Sequence, residues 1–129
     1  MRSISEAIKD ALREGWIFEL AIRRADFDEG GYDKSTAIIY NTQNPYGSHT
    51  DRNTRNAVLS ALRLRLDDEI SPSTDDEPII KQMDMLAGRH GKIRITFKDG
   101  QIIALLDQVL ECPKKISGAT LEEVLAKAK

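Results

Sequence analysis

From Asn41 to Asn56 the chain runs for 16 positions without a single aliphatic residue. The types gathered there, in the order Asn41, Thr42, Gln43, Asn44, Pro45, Tyr46, Gly47, Ser48, His49, Thr50, Asp51, Arg52, Asn53, Thr54, Arg55, Asn56, are those that hold anions and stack on rings. The run leads from a predicted strand into a predicted helix. The first turn of a helix carries unpaired N–H groups and the positive end of the macrodipole. Ser48 and Thr50 add hydroxyls, and Arg52 and Arg55 add forked, permanently charged donors. Tyr46 or His49 could stack on a base, and the amide of Asn44 could read its polar edge. A phosphate-bearing ligand, either a nucleotide or a short nucleic-acid segment, is the chemistry this combination suits. The plainer account is that the same Ser, Thr, Asp and Asn residues cap the helix and shape turns. No Gly-x-x-x-x-Gly-Lys phosphate loop is present.

Other groupings offer less. Asp26, Asp28, Glu29 and Asp33 make an acidic turn, but Gly30 stands at the fifth position of an EF-hand pattern and no Glu stands at the twelfth, so no metal is expected. Asp26 and Asp107 lack the Glu-x-Lys companion of a nuclease centre. Lys92, Arg94, Thr96 and Lys98 share one side of a predicted strand, a row that could track a phosphate backbone or, more simply, protect an edge strand from aggregation. The acids Asp67, Asp68, Glu69, Asp75, Asp76 and Glu77 read as a solvated loop. Neither histidine has a sequence-adjacent acid and nucleophile, and His90 should be exposed in a turn. No catalytic residue and no cofactor is assigned. Cys112, the only cysteine, excludes an internal disulfide and makes a cytosolic setting the expectation.

The elements that position these groups follow from periodicity. Ser3 and Glu6 have capping-box spacing before a helix over residues 4–14 that Gly15 stops. Phe18, Leu20 and Ile22 alternate within a strand over 16–27, and a second strand covers 36–41 after a long polar turn. A helix from about Thr50 carries Ala57, Val58, Leu59, Ala61, Leu62, Leu64, Leu66 and Ile70 around more than half its circumference and should be the most buried one. Pro78 opens another helix that Gly88 ends. Asp99-Gly100 marks a tight hairpin between strand 92–97 and a returning strand from Gln101 to about Leu110 that is apolar on both faces. Thr120 and Glu123 cap a closing helix. The result is an α+β domain with a mainly antiparallel four-stranded sheet of two hairpins, about four helices and the order αββααββα. Its halves share a rough helix–strand–strand–helix shape, with little further similarity.

At 129 residues, 40% hydrophobic and 31% charged, the chain is read as one folded, soluble domain over 1–129. With 19 Lys and Arg against 21 Asp and Glu, attraction to polyanions must be local. No stretch is apolar for long enough to span a membrane. Two functions follow as expectations. The first is a non-enzymatic binding protein for a phosphate-bearing ligand, held by Arg52, Arg55, Ser48, Thr50, His49, Tyr46 and Asn44. The second is a protein-interaction module, an inhibitor or accessory factor of the size common among viral and mobile-element proteins, acting on a larger partner protein. The all-round apolar helix and the doubly apolar strand also suggest a homo-oligomer.

Overall fold

The computed structural model describes residues 2–23, 34–41, 43, 48–51, 53–66, 70–71, 73–106 and 114–128. Helix α1 (Ile4–Arg13) leads into β1 (Ile17–Arg23), β2 (Lys34–Tyr40) and β3 (Ser48–Asp51); α2 (Thr54–Leu66) follows. A 3-10 turn (Thr74–Asp76) opens α3 (Glu77–His90), after which come β4 (Lys92–Lys98), β5 (Gln101–Leu106), β6 (Lys114–Gly118) and α4 (Leu121–Lys127). The α+β class and the antiparallel pairing are as the patterns predict, but the sheet has six strands in the order β3-β2-β1-β4-β5-β6, not four. The two strands beyond the expected four, β3 and β6, are the edges. An edge strand pairs on one side only and can be short and polar, so Ser48-His49-Thr50-Asp51 leaves no hydrophobic alternation to read.

Local signals are largely obeyed. Ser3 accepts a hydrogen bond from the Glu6 N–H and Thr120 from the Glu123 N–H, so both predicted caps form. Asp99 (φ 54) and Gly100 (φ 77) adopt the left-handed pair that a two-residue hairpin requires. Three details differ. Helix α2 starts at Thr54 because Asn53, not Ser48 or Thr50, caps it. Helix α3 runs through Gly88 to His90, and Gly91 (φ 89) ends it, which leaves His90 half-buried in the last turn and not exposed. Helix α2 buries only one stripe, Ala57, Val58, Ala61 and Leu62, while Leu64 is 52% exposed. Strand β5 is described to Leu106, and its expected continuation to about Leu110 lies outside the described residues. The acidic turn 26–33, Asp67 to Glu69, Asp107 and Cys112 lie outside the described residues.

All four helices contribute to one core against one face of the sheet. Rows such as Ile39–Phe18–Ile95–Ala104–Ile116 and Ala37–Leu20–Ile93–Leu106 run across it. Read outward from the central β1–β4 pair, the two halves are alike: each is αβββα, and helix, glycine turn and hairpin recur with Gly15 and Gly91 at matching places. The shared shape legible in the sequence is therefore a pseudo-twofold symmetry of the fold. Within it Asn53 and Thr120 cap matching helices, and Ser35, opposite Ile22, matches Ile102, opposite Phe97.

Candidate functional site

Of the seven residues expected to hold a ligand, Asn44, Tyr46 and Arg52 lie outside the described residues, and Ser48 and His49 are described by backbone only, paired with Ile38 and Ala37. Thr50 pairs with Thr36 on the face of the sheet away from the helices, their hydroxyls 2.9 Å apart. Arg55 lies in the first turn of α2, on the helix side, and ion-pairs with Glu77 at the start of α3. The fold thus puts Thr50 and Arg55 on opposite sides of the sheet. The Asn53 carboxamide oxygen accepts from the N–H groups of Arg55 (2.8 Å) and Asn56 (3.4 Å), so part of the helix terminus is capped from within the chain.

Asn53, Thr54 and Arg55 face Ile80, Lys81 and Asp84 of α3 across an open cleft of about 260 Å³. Its floor is polar. The buried hydroxyls of Ser35 and Thr54 are 2.6 Å apart, and Thr54 donates to Asp84 at 2.5 Å. Chain connectivity orders the protons, with Thr54 donating outward and Ser35 donating to Thr54. Thr54→Val should therefore leave the Ser35 hydroxyl buried without its acceptor, at a cost of about 1–2 kcal/mol, whereas adding Ser35→Ala should recover most of that loss. Denaturation midpoints of the single and double variants check this, and equal losses in both would exclude the ordered chain.

A second polar group, which the patterns do not reveal, sits at the centre of the helix-free face. Glu19 is buried, with 8% exposure, and its Oε1 is 3.0 Å from Lys92 Nζ and 3.5 Å from Arg94 Nη2. Burial pushes the Glu19 carboxyl up, but hydrogen bonds from Tyr40 and Lys92 and the charges of Lys92 and Arg94 outweigh it and hold the group below its ordinary value. The Tyr40 phenol is pushed up, first by burial and then by its bond to Glu19 and the carboxylate charge. The Nε–H of Arg94 is buried with no hydrogen-bond partner among the described residues.

This group corrects the reading of the cation row. Strand β4 is internal, paired on both sides, so Lys92, Arg94, Thr96 and Lys98 do not guard an edge. By strand alternation they share the helix-free face with Ile17, Ile38, Ile103, Leu105 and Lys115, and no described helix packs there. Among the residues whose side chains are described, the face carries the cations Lys92, Arg94, Lys98 and Lys115 against the carboxylate of Glu19, in a chain of net charge -2. Leu105 lies between Arg94 and Lys115. The acidic block also proves mixed: Asp76 is fully buried and hydrogen-bonded, not solvated.

Compared with known proteins, the chain matches no family model, no curated protein and no solved structure. Among the described residues no three His, Cys, Asp or Glu side chains are grouped so as to hold a metal ion, and no helix is long and apolar enough to cross a membrane.

Proposed function

We propose that this chain is a non-catalytic protein-interaction module that docks a larger partner on the helix-free face of its sheet, and that the partner surface is acidic and studded with apolar side chains. The observation that carries this reading is the concentration of Lys92, Arg94, Lys98 and Lys115 around half-buried Ile103 and Leu105 on one face of an otherwise acidic chain. Interfaces favour Arg and Tyr over an apolar floor, and complementary charge accelerates encounter. Nucleic acid fits less well, because strand-borne aromatic platforms are lacking: Tyr40 is the one aromatic on this face among the described residues, and its hydroxyl is engaged by Glu19. A homo-oligomer built through this face would set like charges against each other. The proposal includes a cytosolic setting, since a single cysteine gives no internal disulfide.

A phosphate-bearing ligand in the α2–α3 cleft is the second reading, favoured by Arg55 and Lys81 at its mouth and opposed by Glu77 and Asp84 beside them. Pull-down from a cell lysate, using the wild type and a Lys98→Glu, Lys115→Glu variant, separates the two. Both side chains are exposed, so the fold should be kept. An acidic protein retained by the wild type, released by salt and lost from the variant is expected. Equal capture by both, or capture abolished by nuclease, overturns the docking reading; a thermal shift with nucleotides that Arg55→Ala removes would support the cleft instead.

A further inference from the structure

The pseudo-twofold symmetry gives the α2–α3 cleft a counterpart in the other half, between α1 and the start of α4, and the two are built from opposite chemistry. Where one is lined by buried Thr54 with Asn53, Lys81 and Asp84, the other holds Ile102 and Leu121, both buried, with Leu12 of α1 beside them. Its volume is about 120 Å³, room for roughly four waters or one small ring at the volume per water of the liquid. Phe97 forms one wall and is 38% exposed, whereas in the matching half α3 brings Gly88 up to Ile22. Lys9 and Arg13 stand on the rim. Lys9 is neutralised by Glu122 at 2.5 Å. Arg13 is 70% exposed and only within 3.8 Å of Asp10, whose other oxygen is held by Arg2 at 2.8 Å.

We infer that this cleft is a binding site for a small apolar carboxylate, whose hydrocarbon body lies on Leu12, Ile102, Leu121 and Phe97 and whose carboxylate meets the guanidinium of Arg13. An apolar floor that water wets poorly takes up a ring or short chain. The planar fork of Arg13 matches a carboxylate in two parallel hydrogen bonds, and a single exposed cation suits one negative charge better than a heavily hydrated phosphate. The site is on the helix side of the sheet and is independent of the docking face.

Benzoate, benzyl alcohol and benzylamine, titrated into the full-length chain and followed by amide chemical shifts, test this. Saturable benzoate shifts at Arg13, Phe97 and Leu121 are expected, with Arg13→Ala weakening benzoate about tenfold, Arg13→Lys restoring part of the loss, and benzyl alcohol indifferent to either change. Phe97→Ser should weaken benzoate and benzyl alcohol alike. The side chains of Arg13 and Phe97 are open to solvent, so unchanged melting temperatures would certify that the fold is kept. Absence of saturation at these amides, benzyl alcohol or benzylamine binding as tightly as benzoate, or benzoate affinity unchanged in Arg13→Ala would each overturn the assignment.

Discussion

Asp76→Ala is expected to cost about 3 kcal/mol of stability and roughly 10 °C in melting temperature, the largest effect of any single substitution proposed here. Its carboxylate is fully buried and accepts from the N–H groups of Ser73 (2.8 Å), Ser5 (3.0 Å) and Ile4 (3.1 Å). The last two are orphan donors in the first turn of α1, so one side chain completes the caps of two helical segments far apart in sequence. The bridge between Arg2 and Ile70 and the Ser71 N–H bond to the Arg2 carbonyl join the same two segments. Asp76→Asn, which keeps the shape and loses the charge, should cost about half as much. Burial pushes the Asp76 carboxyl up, yet the backbone N–H groups prevail and hold it below its ordinary value. A folded pKa below the unfolded one stabilises fully above the ordinary aspartate range and is lost as pH falls through the folded value. The difference between wild type and Asp76→Ala should therefore be constant near neutral pH and shrink on acidification. Denaturant titrations across that range check it; a loss under 0.5 kcal/mol at neutral pH would refute the role.

Removing Glu19 should have the next largest effect, because it strips the counter-charge from the centre of the sheet. In Glu19→Ala the Lys92 and Arg94 side chains keep their positive charges with no carboxylate between them, and Tyr40 loses its acceptor. A loss of about 2–3 kcal/mol is expected at neutral pH, partly recovered by salt, with Glu19→Gln near 1 kcal/mol. The Glu19 carboxyl is held low in the folded chain, so its contribution is present above the ordinary glutamate range and disappears as pH falls through the folded value. Matching stabilities of wild type and Glu19→Ala at neutral pH would show that water already screens the pair. The acidic partner proposed for this face should bind Glu19→Gln more tightly, since the opposing charge of Glu19 is gone.

The same two residues show where sequence reading stops. Asp76 belongs to a run of acids, and although the Ser73-x-x-Asp76 capping-box spacing singles it out from exposed Asp75, nothing local shows that it is buried against α1. Its partners, Ile4 and Ser5, lie at the opposite end of the chain's first two-thirds. Glu19 looks like any outward residue of a half-buried strand until β1 pairs with β4 and sets it opposite Arg94. Register between distant strands is a matter of tertiary packing, and no short-range pattern encodes it.

What the sequence determined by itself was local. The N-caps at Ser3 and Thr120, the Asp99-Gly100 turn, alternation in β1 and β4 and the apolar stripes of α1, α3 and α4 rest on interactions within a few residues, and they held. They were enough for the α+β class. Tertiary structure alone decided that the sheet has six strands, that β4 lies inside it, that Thr50 and Arg55 are on opposite faces, and that two matching clefts differ in chemistry. Each of these depends on which face of which element is covered, and coverage is a contest between segments that meet only when the chain is folded.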